Sequence, residues 1–288
     1  MAELVLEQVS YLYGQNTPFE KIALSDVSVR FTPEKITGVI GHTGSGKSTL
    51  AQLLNGILQP SSGRVLLDGV DLFANKKNRA GLRFRVGLVF QYPEYQLFEE
   101  TVYQDIAFGP KNMNQSPEKI RSMVEEAAHF TGVSPEWMGR SPFELSGGQK
   151  RRVAIAGVLA MDPDVIVLDE PAAGLDPSGR EEILGRLRTY QRTKNKTVIL
   201  ISHSMEDVAR FADELLVLKE GRVFVHDSVS SVFSDPDRLE QAHLTLPQVT
   251  KLVLALRERG LEISPSIHTV SDALFQLKSL LKGGEKNA

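Results

Sequence analysis

A glycine-rich run near the amino terminus carries the clearest chemistry. Residues 41–48 read Gly-His-Thr-Gly-Ser-Gly-Lys-Ser, which fits the phosphate-loop pattern of glycine, four residues, glycine, lysine and serine or threonine. Such a loop points backbone N–H groups at phosphate oxygens, and the positive end of the following helix adds attraction. A chance glycine-rich turn is the alternative, which the strand and helix patterns around the run disfavour. The residues expected to contact a nucleotide are Gly41, His42, Thr43, Gly44, Ser45, Gly46, Lys47, Ser48 and Thr49.

Two side chains of this loop have specific tasks in the hypothesis. We expect Lys47 to neutralise the β- and γ-phosphates, and we expect the Ser48 hydroxyl to bind Mg²⁺. The loop alone predicts a bound nucleotide and does not identify the protein class.

Two adjacent carboxylates follow a short apolar segment in the middle of the chain. Residues 165–168 are continuously apolar, which is typical of a strand covered on both faces in a parallel sheet. Asp169 and Glu170 come next, at the strand end where open α/β sheets bind ligands. We expect Asp169 to hold Mg²⁺ and Glu170 to polarise the attacking water as a general base. Plain solvated charge is the alternative, and the phosphate loop weakens it.

Residues 145–149, Leu-Ser-Gly-Gly-Gln, precede a helical pattern and form a second candidate anion site. A simple turn or helix cap is the alternative. The run resembles the signature of ABC ATPases, and the resemblance covers almost all of residues 1–225. In that family two nucleotide domains face each other head to tail. The resemblance therefore implies that ATP lies between one phosphate loop and the partner's signature, here Ser146, Gly147, Gly148 and Gln149.

Three more positions match the same family in order and spacing. The resemblance implies that Gln91 contacts Mg²⁺ and water and links the site to membrane subunits. It implies that Asp176, in the loop of residues 171–176, helps to join two monomers. It also implies that His203, after the apolar run 198–201, contacts the γ-phosphate.

An aromatic residue matches the family's adenine contact. Tyr13 corresponds to the residue that stacks on the base, an interaction that needs a π face and reads the base weakly. Tyr11 could take that role instead, and core packing is a further alternative. The preference for ATP among nucleotides is therefore inferred mainly from the resemblance.

Within ABC ATPases the sequence resembles the second of the two homologous ATPase subunits in the energy-coupling-factor group. The features behind this are residues 41–49, the lid segment at residues 91–98 and a helical tail. The resemblance implies an importer for vitamins or transition-metal ions. It implies a heterodimer with a related ATPase, a membrane scaffold subunit and a substrate-capturing membrane subunit, with this chain peripheral at the cytoplasmic face of the membrane. The cargo is not encoded in this chain.

The lid segment also carries a physical rationale. Tyr92, Tyr95, Leu97 and Phe98 would form an apolar groove able to accept a partner helix. By resemblance, that helix is a coupling helix of the scaffold subunit. Packing inside the helical subdomain is the alternative.

The elements that position these groups predict an α/β fold. Apolar runs at 36–40, 86–90, 165–168 and 198–201 predict strands separated by helices, and parallel strands joined this way use right-handed crossovers. The resemblance specifies a P-loop ABC-type nucleotide-binding domain with a RecA-like core, an antiparallel β subdomain and a helical subdomain.

The expected domain organisation follows the change in pattern along the chain. We expect the ATPase domain at residues 1–225, with the helical subdomain at about 92–160. Residues 226–288 form a small helical appendage, expected to serve in dimerisation, with helical patterns at 246–259 and 270–281. The pair Asp235-Pro236 predicts a turn before these two helical patterns. Within the helical subdomain, Ser116-Pro117-Glu118 predicts a helix start in which Ser116 caps the helix and Pro117 lies in its first turn.

Composition limits the remaining classes. With no cysteine among 288 residues, disulfides and thiolate metal sites are excluded. Glu3 and Glu7 stand where a signal peptide would be basic, and no apolar run approaches the roughly 18 residues of a membrane span. The net charge of -3 gives no reason to expect nucleic acid as a ligand.

Three rival functions remain. A soluble ABC ATPase of translation or DNA repair typically has two cassettes or a coiled-coil insertion, and this chain has one phosphate loop and neither addition. A regulatory binder that holds ATP without hydrolysis is disfavoured by the full catalytic set. An ATPase subunit of another ABC importer is the third.

Overall fold

The structure, a computed structural model of the chain, describes residues 2–75, 81 and 83–284. These residues form ten strands: β1 Leu4–Tyr13, β2 Lys21–Phe31, β3 Ile36–Ile40, β4 Ser62–Leu67, β5 Val70–Asp71, β6 Val86–Val89, β7 Val165–Asp169, β8 Thr197–Ile201, β9 Glu214–Lys219 and β10 Arg222–Ser228. They also form ten α-helices: α1 Lys47–Leu54, α2 Val102–Asn112, α3 Pro117–Thr131, α4 Gly147–Leu159, α5 Pro177–Lys194, α6 Met205–Phe211, α7 Val229–Phe233, α8 Pro236–Gln241, α9 Gln248–Glu258 and α10 Val270–Gly284.

A six-stranded sheet forms the centre, in the order β10-β9-β3-β8-β7-β6. The strands from β9 to β6 run parallel, and β10 pairs antiparallel with β9. Every residue of β3, β7 and β8 is buried, because helices cover both faces of these apolar strands. The expected α/β fold is confirmed, while β9 is not among the strands expected from the sequence.

A second, antiparallel sheet in the order β2-β1-β4-β5 covers one side of α1. Its inward side chains share one hydrophobic core with α1 and the central strands. Leu50, Leu53 and Leu54 of α1 have no exposed surface in this core. Burying a leucine contributes about 2 kcal/mol, so the helix that follows the phosphate loop is fixed between two sheets.

Helices α2, α3 and α4 form a separate layer that packs on the other side of the central sheet. Their buried side chains join those of α5 and of the central strands in a single core. Ser116 begins α3 by accepting a hydrogen bond from the Lys119 amide, and Pro117 occupies the first turn, which confirms the helix start expected there.

The carboxy-terminal helices divide into two groups. α7 and α8 pack directly on the central sheet, where Val232 and Phe233 share a core with Ile40 and Leu215. Downstream, α9, α10 and the segment between them build a small core of their own from Val253, Ile263, Ile267 and Ala273. The boundary between ATPase domain and appendage, placed at residue 225 from the sequence, stays a prediction.

The pair Asp235-Pro236 corrects one expectation. The sequence predicts a turn there, but Pro236 starts α8. The Asp235 carboxylate accepts a hydrogen bond from the Arg238 amide at 3.0 Å and so caps this helix. The physical reason is that aspartate before proline is also a favourable helix start.

His268 joins the two groups of carboxy-terminal helices. Its imidazole is 7% exposed, lies 3.1 Å from the Thr250 hydroxyl and packs edge-on against Phe233, with ring centroids 5.2 Å apart. Burial lowers the pKa of His268, and the nearby Asp272 carboxylate acts in the opposite direction. The folded protein therefore favours the neutral imidazole.

This burial predicts a pH-dependent loss of stability. The unfolded chain takes up the proton first, so stability is complete above the unfolded pKa of about 6.5 and falls as pH decreases below it, by at most about 1.4 kcal/mol per pH unit. We expect His268→Gln to have a smaller stability difference between pH 8 and pH 5 than the parent in urea unfolding. Thr250→Val keeps the imidazole and should retain the parent's pH slope; equal slopes for His268→Gln and parent would contradict the prediction.

Candidate nucleotide-binding site

Four neighbouring parallel strands end at one edge of the central sheet. The phosphate loop follows β3, His203 follows β8, Asp169 and Glu170 lie at the end of β7, and Gln91 follows β6. Parallel strands align their carboxyl ends, so residues far apart in sequence meet there. The sheet thus brings the predicted phosphate, magnesium and base residues to one cavity.

The phosphate loop is held in a shape that requires glycine. Gly46 has a φ of 103°, and a Cβ on it would lie 2.6 Å from Leu24 Cδ2 and 2.7 Å from the Ala23 oxygen of β2. α1 begins at the next residue, with no side-chain cap and no acidic residue in its first turn. Its first backbone N–H groups and its positive end are therefore available to an anionic ligand.

Lys47 lies across the loop it follows. Its ammonium donates to the carbonyl oxygens of Gly41 at 2.6 Å and His42 at 3.1 Å. Burial lowers the pKa of Lys47, while the carboxylates of Glu170 and Asp169 act in the opposite direction. A phosphate in the loop would give this half-buried cation a direct charge partner.

Asp169 and Ser48 form the pair with the chemistry of a magnesium site. Asp169 is 7% exposed, and burial raises its pKa, while a hydrogen bond with Ser48 and the charge of Lys47 lower it. Mg²⁺ favours oxygen ligands and is commonly bound by one carboxylate together with phosphate oxygens. These two side chains, beside the phosphate loop, fit that donor set.

Glu170 is fixed by its backbone and by His203. Its φ is 51°, in the left-handed region, and its amide donates to the Ile201 oxygen at 3.0 Å. One carboxylate oxygen lies 2.6 Å from Nδ1 of His203, whose imidazole is largely exposed. Left-handed glutamate costs free energy, and such strain occurs where a side chain must point in one direction.

A cavity of about 350 Å³ contains most of these groups, including Lys47, Gln91, Asp169 and Glu170. Tyr13 lines it, with its hydroxyl 3.2 Å from that of Thr49, whereas Tyr11 packs edge-on against Tyr13 and does not line the cavity. The structure thus favours Tyr13 over Tyr11 as the aromatic that a base would meet. Lys21, at the start of β2, also lines the cavity, and nothing in its sequence spacing marks it.

The signature turn lies in a different place. Ser146 starts α4 in a capping box: its amide donates to the Gln149 side chain at 2.9 Å, and its hydroxyl accepts the Gln149 amide at 3.4 Å. A Cβ on Gly147 would meet no atom within 4 Å, so this turn presents an open surface. The helix cap that was the alternative is real, and it leaves the turn accessible.

Asp176 lies beside the signature turn. It caps α5 by accepting the Gly179 amide at 3.2 Å, and it lines a second cavity of about 280 Å³ with Ser146 and Gly148. None of the described residues of the phosphate loop lines this cavity. A single chain therefore separates the two predicted halves of the nucleotide site.

In the part of the chain that the structure describes, no helix combines the length and apolarity needed to cross a membrane.

Comparisons with known proteins find relatives that match nearly the whole chain and carry the same name. The energy-coupling factor transporter ATP-binding protein EcfA2 of Clostridium tetani is 49% identical over 98% of this chain and 98% of its own length. That of Caldanaerobacter subterraneus is 48% identical over 96% of this chain and 97% of its own.

Two solved structures of ABC proteins have a similar fold. CbiO1 from Clostridium perfringens, part of the ABC transporter complex CbiONQ, has a TM-score of 0.74 and 40% identity over 86% of this chain and 97% of its own. The ATP-binding cassette MJ0796, dimeric and bound to ADP and Pi, has a TM-score of 0.70 and 26% identity over 78% of this chain and 98% of its own.

The fold and the divided site define an ATPase of the ABC class. The ABC transporter family model matches residues 24–173. The chain belongs to the ABC transporter family and, within it, to the energy-coupling-factor ATP-binding proteins. This confirms the resemblance found in the sequence, with ATP as the ligand of the family, while the roles of individual residues stay predictions.

We expect Lys47→Met to weaken ATP binding by roughly tenfold to a hundredfold, because a hydrogen bond to a charged group contributes about 1.5–3 kcal/mol. Titration of a fluorescent ATP analogue into the purified chain measures this change. Lys119→Met, an exposed lysine on α3, is the control and should bind like the parent. Parent-like affinity in Lys47→Met would remove Lys47 from the phosphate site.

Proposed function

We propose that this chain clamps Mg-ATP between its phosphate loop and the signature turn of a second ATPase subunit, hydrolyses it, and so powers an energy-coupling-factor importer for vitamins or transition-metal ions. The observation that carries the proposal is the division of the site. One cavity is lined by the Lys47 ammonium and by the carboxylates of Asp169 and Glu170. The other cavity is lined by Ser146, at the open start of α4. Each becomes a complete site only when another subunit faces it.

Each side chain at the sheet edge has a role in this proposal. Lys47 and the amides of the phosphate loop bind the phosphates, and Ser48 and Asp169 would hold Mg²⁺. The ion, when bound, supplies positive charge to the phosphate oxygens. Glu170 orients and deprotonates the attacking water. His203 contacts the γ-phosphate and also holds the Glu170 carboxylate in place.

Three further residues extend the site. Gln91, exposed just after β6, would contact the ion and the water and connect them to the lid segment, of which it is the first residue. Tyr13 stacks on adenine, and Asp176 contributes to the junction between subunits.

The left-handed backbone of Glu170 and its 2.6 Å contact with His203 support the assignment of the base, because both restrict the carboxylate before the substrate arrives.

The conformational cycle follows from where the charges lie. A γ-phosphate at the loop can accept hydrogen bonds from Ser146 and the amides of Gly147 and Gly148 in the facing subunit, so ATP favours the closed pair. Hydrolysis removes these contacts and the pair opens. The ATP-driven closure is the step that reshapes the membrane subunits. ATP can drive it because a ligand shifts an equilibrium by its difference in affinity for the two states, here the open and the closed pair.

The partners follow from two relatives. CbiO1 is part of a complex named CbiONQ, and the MJ0796 cassette is dimeric with ADP and Pi bound, which supports pairing and membrane partners for this chain. We propose a heterodimer with a homologous ATPase, on a membrane scaffold subunit that also carries a substrate-capturing subunit. The chain is peripheral, at the cytoplasmic face of the membrane, and nucleic acid is not a partner.

The lid segment supplies a surface for the scaffold subunit. Tyr92, Tyr95 and Phe98 are 43%, 84% and 59% exposed, whereas Leu97 is buried at 8%. Three of the four side chains expected to form a groove are thus exposed, and Leu97 is packed inside, as in the alternative. Of the four, Leu97 and Phe98 line a cavity. Phe98 packs edge-on against Phe108 of α2 at 4.9 Å, beside a cavity of about 280 Å³. A coupling helix of the scaffold fits such an apolar groove.

The appendage presents another apolar surface. Leu252 of α9 is 53% exposed, and Val270, Leu274 and Phe275 of α10 are 60%, 50% and 77% exposed. Val270 and Leu274 are four positions apart in α10 and so lie on one side of that helix. Clustered exposed apolar residues are typical of interaction sites. We propose that these exposed residues contact the partner ATPase, in line with the dimerisation role expected of residues 226–288.

The alternative functions receive less support. A soluble ABC ATPase would have no use for exposed aromatic residues beside the lid glutamine, and the relatives at 48% and 49% identity carry transporter names. Another ABC importer would use the same catalytic groups with different membrane partners.

Replacement of the base tests the catalytic assignment. We expect Glu170→Gln to lower ATP turnover by roughly a hundredfold or more, because a general base contributes that much, while ATP binding persists. The complex should then accumulate closed, ATP-bound ATPase pairs, which light scattering and phosphate release measure together. Glu118→Gln, an exposed carboxylate on α3, should keep the parent turnover. Parent-rate hydrolysis by Glu170→Gln would show that another group is the base.

Replacement of a lid aromatic tests the membrane contact. We expect Tyr95→Asp to reduce recovery of the membrane subunits with tagged chain by at least tenfold, because a buried carboxylate in the groove lacks a partner. Phe19→Asp, at a similarly exposed aromatic 87% accessible, should recover them fully. Equal recovery in both variants would place the membrane contact elsewhere.

A further inference from the structure

Arg151 is the one arginine of α4 whose side chain is enclosed by the protein. The residue is 3% exposed and lies two positions after Gln149, the last residue of the signature. Its neighbour Arg152 is different, because it reaches outward and pairs with Glu182 of α5 at 2.7 and 2.9 Å. Two consecutive arginines thus serve different parts of the molecule.

One side of the Arg151 guanidinium pairs with the lid segment. Nε donates to Oε2 of Glu94 at 3.0 Å, and Nη2 donates to Oε1 at 2.6 Å. This two-point geometry fixes the carboxylate in both position and angle. Glu94 belongs to the short 3₁₀ turn Pro93–Gln96, three residues after Gln91.

The other side of the guanidinium reaches the loop behind the base. Nη1 donates to the carbonyl oxygens of Ala173 and, at 3.5 Å, of Pro171. The same loop is closed by a hydrogen bond from the Ala173 amide to the Glu170 oxygen at 3.1 Å. The contacts of Arg151 therefore end one hydrogen bond from the backbone of Glu170.

Stability alone is a weak reason for this arrangement. Moving two charges out of water costs free energy that their attraction recovers only in part, and replacing a whole buried ion pair by neutral residues is often harmless. What a bidentate, enclosed pair provides is fixed geometry between the elements it joins. Here it joins the lid segment, the signature helix α4 and the loop of residues 171–173.

We propose that Arg151 is a positioning residue that transmits the position of the lid segment to the Glu170 carboxylate and to the signature turn. The inference rests on the proposed roles of Glu170 as base and of the lid segment as the membrane-subunit contact. A partner that moves Glu94 moves the guanidinium, and the guanidinium moves the carbonyls that hold the loop after Glu170. Hydrolysis in this half and closure on the other half then respond together.

The test compares three changes in the complex purified through a tag on this chain. Arg151→Met removes the guanidinium and leaves the Glu94 carboxylate without a partner. The double variant Glu94→Gln with Arg151→Met removes both charges, so no buried charge remains unpaired. Arg188→Met is the matched control, because Arg188 also makes a two-point pair, with Asp213 at 2.7 and 2.8 Å, and a bond to the Phe211 oxygen at 3.2 Å, away from the site.

We expect the double variant to unfold near the parent temperature and yet to show kcat for ATP at least tenfold lower, with KM changed less than twofold. Arg151→Met should show the same kcat, and Arg188→Met should keep kcat within twofold of the parent even where its unfolding temperature drops. A double variant that regains both parent stability and parent kcat would overturn the proposal. So would an equal loss of kcat in Arg188→Met at the same unfolding temperature.

A second readout separates this proposal from the assignment of the base. We expect Glu94→Gln alone to speed hydrogen exchange at the amides of Ala173 and Leu175, which requires no hydrolysis. If Glu170→Gln kept its turnover, the base assignment would fail while this exchange result stood. Unchanged exchange in Glu94→Gln would overturn the linkage whichever residue is the base.

Discussion

Parallel alignment of β3, β8, β7 and β6 is the constraint on which the site depends. Each strand delivers functional groups at its carboxyl end, and the buried apolar cores on both sheet faces keep these ends in register. None of the groups would meet through local sequence contacts, since residues 41, 91, 169 and 203 are far apart along the chain. The sheet therefore sets the geometry, and the loops contribute only the chemistry.

The site holds charges in environments that disfavour them. Burial lowers the pKa of Lys47 and raises the pKa of Asp169, and the two groups partly relieve each other. A polyphosphate with a divalent cation supplies what each lacks, an anion for the ammonium and a cation for the carboxylate. Preorganised groups of this kind act strongly because they need no rearrangement during the reaction.

The sequence predicts the parts of this structure that follow local rules. The phosphate loop has fixed spacing, buried strands are apolar runs, and Ser116-Pro117 begins a helix as expected. Contacts between distant residues are not accessible in this way. Arg151 and Glu94 are 57 positions apart, and Lys21 reaches the cavity only because β2 pairs with β1. Asp235-Pro236 fails for another reason, since the same two residues suit both a turn and a helix start.

The packing of α7 and α8 also limits how the chain can be shortened. Phe233 and Val232 share a core with Ile40, and Ile40 is the residue directly before the phosphate loop. Trimming the protein at residue 225 would remove these side chains from the core and expose part of the strand that carries the loop to water. The carboxy-terminal region thus supports the nucleotide pocket through its packing and also extends beyond it. A minimal catalytic fragment would have to retain residues through α8.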